Sequence, residues 1–185
     1  MHPSGDPTAE VHPRSERTWA ARDVAAAVSD APGTVTEFLE ALTGERVDAA
    51  VIAQGVLGAS PDNRFALAAG ADLVRRSVLL EGRETGLAYI YAETVLAPSR
   101  LPVAVVRRLE TSRDPIGRVL VDHGVRMRRQ PIVGPSPWPG DERAPRPKDA
   151  VCFRLYRIIV ADEAAIEVAE WFLRPVAEAL VAPRR

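Results

Sequence analysis

The chain has 185 residues, 46% of them hydrophobic and 26% charged, which is the composition of a globular protein with one real core. Its formal net charge of −1 gives no overall attraction to nucleic acid or a membrane surface, and no apolar run approaches the ~20 residues needed to span a bilayer. We expect a cytoplasmic protein, since no signal-peptide pattern opens the chain and the single Cys152 excludes an internal disulfide. His123 has no histidine partner outside the N-terminal region, so no metal site is expected.

The N-terminal part of the chain predicts helices and then a strand. Residues 1–17 mix proline, serine, histidine and charge, which predicts a disordered tail. Alanine-rich residues 19–28 predict a first helix. Thr34-Val35-Thr36-Glu37 has the S/T-x-x-E form of a capping box and predicts the start of a second. Aliphatic residues within 46–57 favour the first strand.

Residues 73–80 predict a strand that carries an unusual charge. Side chains alternate across a strand, so Arg76 shares a face with Val74, Val78 and Leu80. An unpaired guanidinium is costly to bury in such surroundings. We therefore expect an anion at Arg76, either from the protein or from a ligand. Residues 86–96 predict the next strand, antiparallel to the strand of Arg76 through the short turn at 82–85.

The middle of the chain predicts two short helices and a long irregular stretch. Pro102 and Pro115 suit first helical positions, the second with Asp114 as N-cap. Residues 125–129 predict a strand, and the proline-rich stretch 131–149 predicts a loop without regular structure, either a disordered insertion or a lid.

Residues 151–160 and 165–173 predict the last two strands, and a short helix follows them. Strands that follow one another as hairpins, with helices clustered elsewhere, predict an α+β fold with an antiparallel sheet. Residues 18–185 are thus expected to form a single domain.

Glu170 in the last predicted strand is, like Arg76, a charged residue on an apolar face, because it shares its face with Ile166, Val168 and Phe172. One interpretation is that Arg76 and Glu170 form an internal salt bridge. The alternative is a closed pocket in which Arg76 binds a ligand carboxylate and Glu170 binds a hydroxyl group and assists proton transfer.

The segment Asp114-Pro115-Ile116-Gly117 offers a second way to bind a carboxylate. The first N–H groups of a helix have no partner within it, so Ile116 and Gly117 are candidate donors, and Gly117 lets a ligand come close. A purely structural helix start is the other interpretation.

Two further groups of residues have alternative interpretations. Arg126, Arg128 and Arg129 form a basic cluster that is either a solvated strand edge or the source of a second carboxylate ligand. The tyrosines either line a pocket or, as we expect, fill the sheet surface.

Several motifs together resemble the chorismate pyruvate-lyase family, and its actinobacterial branch in particular. They follow in family order through the chain: Gly33-Thr34-Val35-Thr36, Arg76 within residues 74–80, Ala92-Glu93-Thr94, Arg100-Leu101-Pro102, Asp114-Pro115-Ile116-Gly117-Arg118, Arg154-Leu155-Tyr156-Arg157-Ile158 and Ala169-Glu170-Trp171-Phe172-Leu173-Arg174. The resemblance implies a six-stranded antiparallel sheet with helices packed on one side. It also implies a lyase that eliminates pyruvate from chorismate and leaves 4-hydroxybenzoate or a related hydroxybenzoate, without metal or organic cofactor.

The resemblance also implies roles for individual residues. Arg76 would hold the ring carboxylate with help from backbone N–H groups at Val35 and at Ile116 and Gly117. Glu170 would bind the hydroxyl at the other end of the ring, and Arg128, by ungapped spacing, would hold the enolpyruvyl carboxylate. Chorismate is the only partner implied, with no nucleic acid and no membrane; monomer and dimer both remain open.

The chain departs from the family where Ala169 replaces a common threonine, where Val35 replaces a larger aliphatic residue and where residues 131–149 match nothing. Two other functions therefore stay open: a non-catalytic domain that binds a small aromatic acid as effector, and a lyase acting on an amino-substituted relative of chorismate. No helix-turn-helix precedes the predicted sheet, which favours an enzyme over a regulator.

Overall fold

The computed structural model describes residues 13–137, 147 and 149–182. The elements, in chain order, are α1 (Pro13–Asp30), α2 (Val35–Thr43), β1 (Val47–Gly58), β2 (Asp72–Gly82), β3 (Ala88–Leu96), a 3₁₀ turn (Pro98–Arg100), α3 (Val103–Thr111), α4 (Ile116–Asp122), β4 (Met127–Pro137), β5 (Ala150–Val160), β6 (Glu163–Leu173) and α5 (Arg174–Val181). None of the described helices is long and apolar enough to cross a membrane.

The six strands form one sheet in the order β1-β2-β3-β6-β5-β4, and every neighbouring pair is antiparallel. The last strand, β6, is central because it pairs with β3 on one side and β5 on the other. The α+β fold predicted from the sequence is confirmed.

One face of the sheet, called here the inner face, is covered by the helices. Its aliphatic side chains pack against α1, α2 and α5 at one end of the sheet and against α3 and α4 at the other. The opposite face, called here the outer face, carries a tilted aromatic group of Tyr91, Phe153 and Trp171, with ring centroids 5.0–5.5 Å apart. Strand alternation thus places the helices on one side, as the resemblance implied.

Two predicted boundaries are corrected by the structure. Helix α1 begins at Pro13, a residue favoured at a first helical position, so the tail predicted over residues 1–17 ends earlier; residues 1–12 lie outside the described residues. Strand β4 extends to Pro137, so the loop predicted over residues 131–149 starts later. Because β4 is an edge strand and its pairing with β5 is irregular after Pro131, its prolines are tolerated. Residues 138–146 and 148 lie outside the described part.

Both proline-initiated helices begin one residue later than predicted. Pro102 and Pro115 occupy the N-cap positions of α3 and α4, not the first helical positions. Asp114 does not cap α4, because its carboxylate accepts a hydrogen bond from Arg108 Nε at 2.9 Å. The capping box of α2 is confirmed: Glu37 N–H donates to Thr34 Oγ1, and Thr34 N–H donates to Glu37 Oε2.

Candidate active site

An inner cavity lies between the inner face of the sheet and the first turns of α2 and α4. Five of the six residues singled out from the sequence line it: Val35, Arg76, Ile116, Gly117 and Glu170. The sixth, Arg128, does not. Apolar side chains from the sheet form the remaining walls, so the few polar groups stand out against an apolar lining, as is typical of small-molecule sites.

Arg76 lies at one end of this cavity as a buried cation. The residue is 3% exposed, and its Nε and Nη2 atoms have no hydrogen-bond partner within the described part of the chain. Burial lowers the pKa of its guanidinium, as expected where no anion compensates the charge. Native proteins pair almost all buried polar groups, so an orphaned guanidinium in a cavity points to a missing anionic ligand.

The salt bridge considered between Arg76 and Glu170 is not formed. The two residues lie on strands β2 and β6, which are separated by β3, so they stand two strand spacings or roughly 10 Å apart across the sheet. Glu170 instead pairs with Arg154 on the neighbouring strand β5. The alternative interpretation, a cavity with a cation and an anion at separate ends, matches this geometry.

The N-termini of α2 and α4 also line the cavity. Val35 is the first residue of α2 and Ile116 the first of α4, so their N–H groups lie at the positive ends of the helices. The absence of a side chain at Gly117 has a packing role, because a Cβ atom there would lie 3.1 Å from Thr34 Cγ2. Gly117 thus allows the two helix starts to meet.

A network around Arg118 fixes these helix starts. Its guanidinium binds Glu40 of α2 at 2.5 Å and donates to the carbonyl oxygen of Val47 in β1 at 3.2 Å. Glu40 also accepts the N–H of Val47 at 2.9 Å. This arrangement holds α4, α2 and β1 together. The candidate donors at the cavity are backbone N–H groups at the starts of α2 and α4, so they are fixed in position with these elements.

Glu170 lies at the other end of the cavity and is 3% exposed. Arg154 Nε donates to Glu170 Oε2 at 2.5 Å, and the Tyr156 hydroxyl donates to Oε1 at 3.1 Å. Burial raises the pKa of the Tyr156 hydroxyl, so this group remains a donor. The carboxylate is thereby held in one orientation, facing the cavity with lone pairs still available.

Arg128, predicted to hold a second carboxylate, lies outside the lining of this cavity, and its neighbour Arg129 lies within it. Arg129 and Met127 share the inner face with Ile158 of β5 and line the cavity, whereas Arg128 lies on the opposite face. Arg129 Nη1 donates to the carbonyl oxygen of Gly33 at 2.9 Å. Ungapped spacing cannot resolve two adjacent arginines, and a shift of one residue moves a side chain to the other face.

An outer cavity of about 320 Å³ adjoins the inner one. The boundary between them is formed by the residues that line both cavities, Thr34, Val35, Arg129 and Tyr156. The rest of the outer cavity is formed by the end of α1, by Phe38 of α2, and by Arg154 with the proline-containing part of β4.

The sequence interpretation missed Arg154 and Tyr156 as site residues. Tyr156 was expected to fill the sheet surface, as Tyr91 does, but it lines the cavity and is 7% exposed. A signal was present, since Arg154 and Tyr156 are two residues apart and thus share a face of β5. Within the described ranges, no group of histidine, cysteine, aspartate and glutamate side chains could hold a metal ion.

Curated mycobacterial proteins are similar to this chain in sequence. A protein of Mycobacterium tuberculosis named chorismate pyruvate-lyase is 26% identical over 154 residues, covering 79% of this chain and 77% of its own length. One of the same name from Mycobacterium leprae is 29% identical over 151 residues, covering 78% and 71%. No protein-family model matches the chain. The resemblance to this family and to its actinobacterial branch is thereby confirmed.

Solved structures extend the likeness to the fold. PhnF from Mycobacterium smegmatis superposes with a TM-score of 0.55 at 15% identity, covering 79% of this chain and 66% of that chain. The effector domain of PhnF gives a TM-score of 0.50 at 15% identity, covering 77% and 90%. At this identity the likeness concerns the fold alone.

Proposed function

We propose that this relative of the mycobacterial chorismate pyruvate-lyases eliminates pyruvate from chorismate and leaves 4-hydroxybenzoate. The observation that carries the proposal is the buried guanidinium of Arg76, whose Nε and Nη2 have no partner within the described residues while it faces a cavity with Glu170 at the other end. A para-substituted aromatic acid has the matching groups: an anion at one end and a hydrogen-bond donor at the other.

The charges that line the two cavities also match the substrate. Three arginines (Arg76, Arg129 and Arg154) and one glutamate (Glu170) are the charged residues that line the cavities among those described, a balance of three minus one, or +2. Chorismate carries two carboxylates, one on the ring and one on the enolpyruvyl group. A cavity that is electrostatically complementary to a dianion binds it and concentrates it near the site.

In the proposed complex, Arg76 and the N–H groups at Val35, Ile116 and Gly117 hold the ring carboxylate. Charge-assisted hydrogen bonds of this kind are the strongest that a side chain offers, and the helix N-termini add to them. The ring then extends along the apolar wall of the inner cavity toward Glu170.

At the opposite end, Glu170 accepts a hydrogen bond from the ring hydroxyl. The enolpyruvyl group lies toward the outer cavity, where Arg129 replaces Arg128 as the residue for its carboxylate. This division follows the shape of the two cavities, with Val35 and Tyr156 between them.

The reaction requires little beyond positioning. The C–O bond to the enolpyruvyl group breaks, and the ring carbon that carries the hydroxyl loses its proton. The ring becomes aromatic, and the released enolpyruvyl group takes up a proton to become pyruvate. Aromatisation supplies the driving force, so orientation and proton transfer assisted by Glu170 are the contributions proposed for the protein.

The test is to incubate the purified protein with chorismate and to measure pyruvate and 4-hydroxybenzoate together. The proposal predicts equimolar formation of both, catalytic in protein and absent in Arg76→Gln. Binding of 4-hydroxybenzoate without release of pyruvate would contradict the lyase and support an effector-binding domain. Turnover of an amino-substituted chorismate in preference to chorismate would reassign the substrate.

A further inference from the structure

Glu170 enters the cavity with both carboxylate oxygens already bound by side chains of β5. Arg154 Nε donates to Oε2 and the Tyr156 hydroxyl donates to Oε1. An ionised carboxylate has about four lone-pair positions, so each oxygen can still accept a hydrogen bond from a ligand. Both neighbours are donors, so the Glu170 carboxylate is the acceptor in each contact.

Arg154 is itself fixed in place. Its side chain is 14% exposed, and its guanidinium lies 5.0 Å from the ring centroid of Tyr156 and 5.4 Å from that of Phe172. Although burial alone would lower it, the pKa of Arg154 is raised, because the Glu170 carboxylate favours the charged form. The cation is therefore held in place by its ion pair with Glu170 and by its contacts with the two rings.

We propose that Arg154 is a positioning residue that holds the Glu170 carboxylate oriented as a hydrogen-bond acceptor toward the cavity. This end of the cavity then selects aromatic acids with a donor opposite the ring carboxylate, either a hydroxyl or an amino group. The inference rests on the proposed function for its choice of ligand class. Beyond that function, Arg154 sets the selectivity, and aromatic acids without a donor at this position are rejected.

The expected selectivity follows from the free-energy cost of leaving a buried acceptor without a donor. A ligand with a fluorine or a hydrogen in place of the hydroxyl leaves the Glu170 carboxylate desolvated and without a donor, and sites built in this way reject such analogues strongly. Without the contact from Arg154, the Glu170 side chain is free to rotate away from the ligand, and the difference in affinity between the two classes of ligand falls.

The experiment measures equilibrium binding of 4-hydroxybenzoate and 4-fluorobenzoate by calorimetry, since the two acids differ mainly in the donor. We expect the wild-type protein to bind 4-hydroxybenzoate at least tenfold more tightly. In Arg154→Met the ratio should fall below threefold, and Arg154→Lys should restore most of it. Arg154→Gln, which keeps a hydrogen-bond donor but no charge, should behave like Arg154→Met and provides a second variant if Arg154→Met does not fold.

Arg157→Met is the matched control. Arg157 lies on the same strand as Arg154 and pairs with Glu167 of β6 at 3.2 Å, but on the outer face. It should retain the wild-type ratio, whereas a loss equal to that in Arg154→Met would show a general structural effect and overturn the assignment.

A folded Arg154→Gln protein that keeps the wild-type ratio would also overturn the role of Arg154, as would a wild-type protein that does not distinguish the two acids. Release of pyruvate is measured separately in the wild-type protein. If these acids bind selectively but chorismate is not turned over, the proposed function fails while the role of Arg154 stands.

Discussion

Adjacent residues of β2 show how differently the two faces of the sheet treat charge. Arg75 lies on the outer face, is 57% exposed and binds Glu93 at 3.0 Å. Arg76 lies on the inner face, is 3% exposed, and its Nε and Nη2 find no partner among the described residues. The exposed Arg75 has an ion-pair partner although water can solvate its charge. Nε and Nη2 of the buried Arg76 have no partner among the described residues.

The same contrast holds for the acids of β6. Glu167 on the outer face binds both Arg64 at 2.6 Å and Arg157 at 3.2 Å. Glu170 on the inner face binds one arginine and one tyrosine, and faces a cavity. Glu167 is itself only 8% exposed, so the contrast between the two acids lies in the cavity that Glu170 lines and not in burial. On the inner face, the donors of Arg76 that lack a partner among the described residues are the sign of a binding site.

The largest expected effect is on turnover of chorismate when the inner cation is removed. Arg76→Gln should lower kcat/KM by about 10²- to 10⁴-fold, because two charge-assisted hydrogen bonds to the carboxylate are lost, each worth about 1.5–3 kcal/mol. Arg75→Gln, its neighbour on the outer face, should remain within about twofold of wild type. Equal losses of kcat/KM in the two variants would contradict a binding site on the inner face alone.

The acids of β6 provide the next comparison. Glu170→Gln should still bind 4-hydroxybenzoate but turn over chorismate about 10²-fold more slowly, the scale for losing an acid–base group. Glu167→Gln should change the rate much less, since Glu167 faces away from the cavity. Steady-state kinetics of both variants check this. Full activity of the Glu170→Gln variant would remove Glu170 from proton transfer and leave the role of Arg76 untouched.

The two arginines of β4 sharpen the same comparison at the outer cavity. Arg129→Gln should raise KM about tenfold with little change in kcat, because one charge-assisted contact to the enolpyruvyl carboxylate is lost. Arg128→Gln on the opposite face should leave both constants near the wild-type values. If Arg128→Gln raised KM more than Arg129→Gln did, Arg128 would be the residue that contacts the substrate, and the register of β4 would differ in the bound protein.

The smallest expected effect is on the stability of the protein without ligand. Arg76→Met removes a buried cation with unsatisfied donors, so the free energy of unfolding should stay the same or rise by about 1–3 kcal/mol. Arg75→Met should change it by less than about 0.5 kcal/mol. Urea denaturation measures both. A clear loss of stability in Arg76→Met would show that the empty protein already compensates this charge.

Strand alternation made much of this site predictable from the sequence. The faces of Arg76 and Glu170 follow from a period of two and from their aliphatic neighbours, and the capping box placed Val35 at a helix start. These are local properties, each set within a few residues. The fold class followed in the same way, from the order of such elements along the chain.

The contacts between strands were not predictable in this way. The pairing of Arg154 with Glu170 depends on the register of β5 against β6, which shifts between Ala150 and Cys152 and again between Ile158 and Ile159. The choice between Arg128 and Arg129 depends on the phase of an edge strand with an irregular pairing. Neither register nor phase is visible in a single segment, because both are set by the tertiary structure.

The central claim is that Arg76 and Glu170 bind opposite ends of one aromatic acid, and fragments of that acid test it most directly. Binding of 4-hydroxybenzoate, benzoate and phenol is measured in wild type, Arg76→Gln and Glu170→Met. We predict that Arg76→Gln abolishes the advantage of 4-hydroxybenzoate over phenol, and that Glu170→Met, which has no acceptor for the hydroxyl group, abolishes its advantage over benzoate. If Arg76→Gln weakened phenol as much as 4-hydroxybenzoate, the carboxylate would not lie at Arg76 and the claim would be wrong.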